Sequence, residues 1–543
     1  MTDLIQKTQS AYSYPLLVKN LLQFPVKNNP GQEIVFRGEQ RFTYAQFRKR
    51  VCRLAHVLVE LGVRQGDTVA VMDWDSHRYL ECFFAIPMIG AVLHTVNIKL
   101  SPEQILYTIN HAEDDYILVN EEFLPLIEQI RGRIDMVKGY MVLQDKPCEL
   151  ETTVPLAGEY ETLLAAADDD YVFPDFDENS RATTFYTTGT TGMPKGVFFS
   201  HRQLVLHTLG TLVALSSAEK QGRFHQGDVY MPITPMFHVH AWGFPYIATF
   251  AGIKQVYPGK YMPGLLLQLI DKEKVTFSHC VPTILHMLIN DPSFKDIDLS
   301  RWKIVIGGAA MPKALCRVLL RKGADIFAGY GMSETCPVLS LAQVDEDDLS
   351  EEEEIECRCK TGRALPLVDL RVVDSEMTDV PLNGETVGEI VVRAPWLTQA
   401  YLKDKRNSEV LWKDGYLHTG DVANIDAKGS LSITDRIKDV IKIGGEWLSS
   451  LELEDVITLH DAVKEVAVIG KPDEKWGERP LALVVAGEDV SEKELVKHVQ
   501  DYIEKGMLSK QALLLKVTFV ESIDKTSVGK INKRLLRQKY VED

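Results

Sequence analysis

The apolar positions of the first hundred residues alternate between helical and extended patterns. Phe47, Val51, Leu54, Leu58 and Leu61 recur at spacings of four, three, four and three, behind the capping-box pattern Thr43-x-x-Gln46. That spacing predicts an amphipathic helix stopped by Gly62. Thr68 to Met72 reads as a strand and Tyr79 to Gly90 as a helix. Ser101 starts a further helix, and Asp115 precedes a strand over Tyr116–Val119. Strands alternating with helices predict a parallel sheet covered on both faces. Between Asp145 and Asn179 the period fades and acidic residues gather, which predicts irregular chain. The run Asp345 to Glu356 is dominated by acidic residues and reads as a solvated loop or helix face. Near the end, Glu465–Ile469 and Leu481–Val485 read as strands and Glu492 to Glu504 as a helix, a compact α+β module.

Composition bounds these elements. A chain of 543 residues exceeds one compact core, so two or more domains are expected. The formal net charge of −17 argues against a general nucleic-acid binder and against docking on anionic membranes. The eight cysteines include no C-x-x-C pair and read as reduced thiols. Asp3 and the polar run to Ser13 leave no apolar core for a signal peptide. The apolar stretch Phe83 to Val96 is broken by Pro87 and His94 and is too short to span a bilayer. A soluble, cytoplasmic protein is the expectation.

The chemistry begins at Thr187–Gly196, T-T-G-T-T-G-M-P-K-G, between the apolar segments Ala182–Tyr186 and Val197–Phe199. The glycines Gly189 and Gly192 let backbone N–H groups approach an anion, and Thr187, Thr188, Thr190 and Thr191 add hydroxyl donors. Lys195 adds a point charge suited to phosphate. No Gly-Lys-Ser/Thr ends the loop, so it is not a Walker A loop. A polyphosphate-binding loop and a plain Gly/Thr-rich surface turn are the two readings of these ten residues alone. Further along, Met231 to Trp242 is an apolar run interrupted by prolines and histidines. His238 and Trp242 are four apart and share a face if the segment is helical. A strand over Lys303–Ile306 runs into Gly307-Gly308-Ala309, a turn that brings backbone close to a flat ligand.

Five stretches taken in order then carry a resemblance: the phosphate loop, Y-G-M-S-E-T at Tyr330–Thr335, H-T-G-D ending at Asp421, D-R-I-K-D at Asp435–Asp439, and T-S-V-G-K ending at Lys530. The set resembles the acyl-adenylate-forming superfamily of acyl-CoA synthetases, luciferases and peptide-synthetase adenylation domains. The resemblance implies mixed αβ layers: a large N-terminal domain of αβ subdomains and a small β-rich subdomain over 1–434, a hinge at 435–440, and a small mobile α+β domain over 441–543. It implies an AMP-forming acid–thiol ligase that takes ATP, Mg²⁺, coenzyme A and a small carboxylic acid.

By the same resemblance, Gly308, Ala309, Gly329, Tyr330, Gly331, Thr335, Asp421, Arg436 and Lys442 contact the nucleotide. Tyr330 offers a ring to adenine, Thr335 a hydroxyl to phosphate, and Asp421 a carboxylate to the ribose. Glu334 is a hard oxygen ligand for Mg²⁺. Lys530, Glu334, Lys195 and His238 form the catalytic set, and Lys438 takes the hinge position. Trp242, His238 and Gly307 wall the acyl pocket. Asp524 stands where the family's motif around Lys530 begins with proline. The stretches around Trp242 and over Gly444–Ser450 look most like medium- or long-chain fatty acyl enzymes. Alternative readings are a ligase for a short thioether or aryl acid, an adenylation enzyme serving a carrier protein, and a non-catalytic nucleotide-binding scaffold. Homodimers are common among the fatty acyl relatives.

Overall fold

The computed structural model describes residues 4–146, 148–187, 193–219, 221–346, 348–443, 446–473, 475–487, 489–505, 508–526 and 531–541. Among these, two large sheets build the first two thirds of the chain. The seven-stranded sheet is parallel from Leu156–Glu159 through Gly139–Leu143, Asp114–Asn120, Thr68–Met72 and Val92–Thr95 to Arg181–Tyr186, and ends on the antiparallel strand Gly196–Ser200. The nine-stranded sheet runs parallel from Glu33–Phe36 through Lys254–Tyr257, Val229–Tyr230, Phe277–Cys280 and Lys303–Ile306 to Asp325–Gly331. Antiparallel strands flank both ends of that parallel run. The helix His77–Met88 is buried along its whole length, as a helix packed in a large α/β core must be.

Local signals account for most of these elements. The helix Tyr44–Glu60 starts at a complete capping box of Thr43 and Gln46. Ser101 and Gln104 do the same for Pro102–Ala112, and Ser200 and Gln203 for His201–Ser217. Each box satisfies two otherwise orphaned N–H groups at a helix start. A five-stranded antiparallel sheet follows, with Gly388–Arg393 and Tyr416–Ile425 at its centre and Asp369–Val373 at one edge. After residue 440 the chain packs a separate core: Ile441, Leu453, Val468, Val484 and Leu495 belong to one apolar cluster, Ala467, Leu483 and Leu536 to a second. The architecture is mixed α/β, with a large N-terminal part and a smaller C-terminal one. No helix among the described residues is long and apolar enough to cross a membrane.

One expectation is corrected. The stretch expected to be irregular contains the strand Leu156–Glu159 and the helix Tyr160–Ala166, which is capped by the Glu159 carboxylate through Glu161 and Thr162 N–H. The acidic run forms an exposed helix face, one of the two forms expected of it. Its helix, Glu351–Cys359, lays Glu356, Glu352 and Glu351 against Lys313, Arg317 and Arg321 of the helix Lys313–Arg321. On its inner face Arg358 bridges Glu354 and Asp325 at 2.8 and 2.6 Å.

Candidate functional site

The strands Arg181–Tyr186 and Gly196–Ser200 pair as an antiparallel hairpin. Thr187 N–H donates to the Lys195 carbonyl at 2.9 Å, and Lys195 N–H reaches the Thr187 hydroxyl at 3.4 Å. The loop's base is therefore closed by backbone. Thr188, Gly189, Thr190, Thr191 and Gly192 lie outside the described residues, as does Lys530.

A pocket opens beside the C-terminal ends of Lys303–Ile306 and Asp325–Gly331. One wall is His238, Val239 and Trp242; the other is Gly307, Gly308 and the backbone of Gly329–Met332. These glycines are demanded by packing. A Cβ on Gly307 would sit 2.9 Å from the Trp242 ring, and one on Gly331 would sit 1.9 Å from the Pro337 carbonyl oxygen. Gly308 has φ +78°, a conformation that glycine adopts without strain.

The segment carrying Trp242 departs from expectation. Val239, His240, Ala241 and Trp242 have φ values of 48°, 55°, 47° and 57°, a left-handed turn built without glycine. The shared face expected of His238 and Trp242 assumed right-handed geometry; both side chains reach the cavity from a turn of the opposite hand. Such residues cost roughly 1–2 kcal/mol each, and burial holds them in place. The His240 ring is enclosed by Phe83, Phe185, Phe199 and Tyr246, and burial pulls its pKa down to about 3, so it is neutral. The Trp242 indole packs on the His279 ring at 5.0 Å, and His279 Nε2 meets the Tyr230 hydroxyl at 2.8 Å.

Just before the turn, Asp75 accepts Met236 N–H at 2.9 Å and the Tyr261 hydroxyl at 2.5 Å. Burial pushes the Asp75 carboxyl up to about pH 7. Because its folded pKa lies above the ordinary carboxylate value, the folded chain holds the extra proton between about pH 4 and 7. Stability assigned to this group therefore falls as pH rises through that window and is level above it. Asp75→Asn should remove this dependence: the wild type should lose melting temperature relative to the variant from pH 5 to 7.5, and parallel curves would refute the assignment.

The residues that the resemblance assigns to the nucleotide and its metal fall in two clusters. Tyr330 lines the cavity, and its hydroxyl donates to Asp421 Oδ2 at 2.9 Å; Asp421 also pairs with Arg436 at 3.2 Å. Burial, and then the Asp421 charge, push the Tyr330 phenol far above its ordinary pKa and keep it neutral. In the second cluster, Glu334 Oε1 accepts the Tyr401 hydroxyl at 2.6 Å, and the Lys195 ammonium lies 4.6 Å over the Tyr401 ring. The Thr335 hydroxyl, expected at a phosphate, is buried and engaged by the backbone of Met332 and Pro337. Ala309 is exposed beside Gly308. Lys442 lies on the C-terminal strand Ile441–Ile443 with its N–H on Glu478 Oε2 at 2.7 Å, and it does not line the cavity. Lys438 sits exposed in the connection between the two parts of the chain, next to Asp439, which pairs with Arg537 at 2.7 Å. Tyr401 was missed in the sequence; no local pattern ties it to Glu334, 67 positions earlier.

The donors present fit Mg²⁺. Among the described residues no group of three or more His, Cys, Asp or Glu could hold a metal ion. A single hard carboxylate such as Glu334 suits an ion that arrives already coordinated by nucleotide phosphates.

A strand-end cavity lined by Gly307 and Gly308, a tyrosine–aspartate pair and a lysine at the base of a hairpin are what the structure brings to this part of the chain. Residues 22–402 match the AMP-binding enzyme family, and residues 452–530 match the C-terminal domain of AMP-binding enzymes. The chain belongs to the AMP-binding enzyme family and is an AMP-forming acid–CoA ligase that uses ATP, Mg²⁺ and coenzyme A. It is 41% identical over 519 residues to a long-chain-fatty-acid–CoA ligase of Thermus thermophilus, covering 94% of this chain and 93% of that one. It is 36% identical to a 3-methylmercaptopropionyl-CoA ligase of Ruegeria lacuscaerulensis, covering 97% of each. Its fold matches an anthranilate CoA ligase in complex with anthranoyl-AMP with a TM-score of 0.84, covering 97% of this chain and 98% of that one at 24% identity.

Proposed function

We propose that the acid is a medium- or long-chain fatty acid, adenylated in the cavity between Trp242 and Tyr330. The observation that carries this reading is the apolar wall of Val239, Trp242, Val305 and Val338 directly beside the glycine floor. It is supported by the similarity to a fatty-acid–CoA ligase over nearly the whole chain.

In the first half-reaction a carboxylate oxygen bonds to the α-phosphorus of ATP and the bond to pyrophosphate breaks. In the second, the CoA sulfur bonds to the acyl carbon, the bond to AMP breaks, and the thiol proton is lost. The nucleophile of the first step is already ionised at neutral pH, so the obstacle is repulsion between anions. One positive charge at about 4 Å is worth about 4 kcal/mol at an effective dielectric near 20. Lys195 and Lys530 are placed in that role. Glu334 would hold Mg²⁺, which would supply further neutralisation of the phosphate charge. Asp421 receives the ribose, Arg436 the ribose or phosphate, and Lys442 the nucleotide from the C-terminal side. His238 borders the acyl carboxylate. Residues 1–434 and 441–543 act as two domains that turn about Lys438 in 435–440. A homodimer in the cytoplasm completes the proposal; light scattering of the purified chain tests the dimer.

A second reading has its own observation. Trp242, backed by His279, packs close against Gly307 at the cavity wall, and a short thioether acid would fit without moving it. CoA-dependent AMP release across acids from acetate to palmitate, with 3-methylmercaptopropionate and aryl acids, separates the two. The fatty reading expects a maximum above six carbons, and Trp242→Ala should change chain-length preference about ten-fold or more, since room for two more buried CH₂ groups is worth about 1.6 kcal/mol. A maximum at the short thioether acid would replace the fatty reading.

A further inference from the structure

We infer that Tyr401 is a positioning residue that aims the Glu334 carboxylate and the Lys195 ammonium at the same phosphates. This rests on the proposal that Glu334 holds Mg²⁺.

Three observations carry it. The Tyr401 hydroxyl donates to Glu334 Oε1 at 2.6 Å, so one carboxylate oxygen is fixed. The Lys195 ammonium stands 4.6 Å above the centre of the same ring, within cation–π range. The backbone that carries Tyr401 is bonded to both partners' segments. Leu402 N–H donates to the Gly196 carbonyl at 2.8 Å, and Tyr401 bridges Val197 as an isolated antiparallel pair. Thr398 N–H donates to the Glu334 carbonyl at 2.9 Å, and the Thr398 hydroxyl donates to Phe198 O at 3.1 Å. One short segment thus links the base of the phosphate hairpin to the turn that holds the carboxylate, and the tyrosine ring bridges their side chains.

The site needs such a bridge. Glu334 and Lys195 have opposite charges, and drawn together they would neutralise each other instead of meeting metal and phosphate. A neutral ring between them gives the ammonium a π-face and the carboxylate a donor, holding each charge without cancelling it. Burial raises the phenol's pKa, and the neighbouring Glu334 charge adds to the effect, so the hydroxyl stays a donor throughout the working pH range.

The two functions of the ring separate by substitution. Tyr401→Phe keeps the ring under Lys195 and removes the donor to Glu334; Tyr401→Leu removes both. For Tyr401→Phe the Mg²⁺ concentration that half-saturates adenylation should rise about ten-fold, the loss typical of a hydrogen bond to a charged group. Calorimetry should show weaker MgATP binding with unchanged binding of ATP in EDTA. Tyr401→Leu should weaken both forms of ATP, because Lys195 is also released. Thioester formation from supplied acyl-AMP should hold its wild-type rate in Tyr401→Phe. Glu334→Gln is the control for the underlying reading. If Glu334→Gln shifts the Mg²⁺ requirement and Tyr401→Phe does not, the positioning role is overturned and the metal assignment stands. If Glu334→Gln leaves the requirement unchanged, the metal assignment falls and this inference falls with it. A Tyr401→Phe protein that loses MgATP, free ATP and acyl-AMP turnover in equal measure would mark a structural role only and overturn the inference.

Discussion

Lys530→Ala should lower the rate of acyl-adenylate formation by about a hundred- to a thousand-fold, the loss typical of removing one donor aimed at developing transition-state charge. Conversion of supplied acyl-AMP and CoA to the thioester should be spared. The asymmetry follows from the chemistry. Adenylation forces a carboxylate onto a triphosphate, and a cation between them lowers the repulsion in that step alone. Thioester formation releases AMP from a carbonyl and brings no second polyanion to the same oxygen. Pyrophosphate release measures the first step, and thioester absorbance with synthetic acyl-AMP measures the second. Equal losses in both would remove Lys530 from its assigned role. Lys530→Arg keeps charge but changes shape and hydration, so partial recovery there would show that charge supplies most of the effect.

How far the molecule could be read from its residues depends on how local each cause is. The helix Tyr44–Glu60 was legible because Thr43 and Gln46 cap it and its apolar stripe has a helical period. Thr68–Met72 and Lys303–Ile306 were legible because buried parallel strands are short apolar runs between turns. The helix Tyr160–Ala166 was hidden: it is seven residues long, and its cap is a glutamate in a stretch whose acidity suggested irregular chain. The acidic helix Glu351–Cys359 was legible as an exposed face, but its partners Lys313, Arg317 and Arg321 were not, since they lie thirty or more positions away. No pattern announces the left-handed turn at Val239–Trp242, since valine, alanine and tryptophan all disfavour it locally. Only tertiary packing around His240 and against Gly307 holds it there. The site divides in the same way. Glycines such as Gly331 and the Tyr330–Thr335 signature stood out in one dimension, but the Tyr401–Glu334 bond exists only in three.

Asp421→Ala should raise the KM for ATP about a hundred-fold, the loss expected when a hydrogen bond to a charged group is removed and a buried donor is left without its partner. The cause lies in its surroundings. Asp421 is 7% exposed, takes the Tyr330 hydroxyl and meets Arg436. Truncation therefore removes the proposed ribose acceptor and also leaves a buried phenol and a guanidinium without their carboxylate. A loss of thermal stability should accompany the change, so KM alone cannot assign the ribose contact. Comparing ATP with 2′-deoxy-ATP does. If Asp421 accepts the ribose hydroxyls, the wild type should prefer ATP and Asp421→Ala should lose most of that preference, because the group that distinguished the two sugars is gone. Asp421→Asn keeps the volume and one oxygen for Tyr330 while removing the charge facing Arg436. It should fall between the two in KM and retain part of the discrimination. A preference for ATP that survives intact in Asp421→Ala would move the ribose contact elsewhere and leave Asp421 as the partner that orients Tyr330 over the cavity.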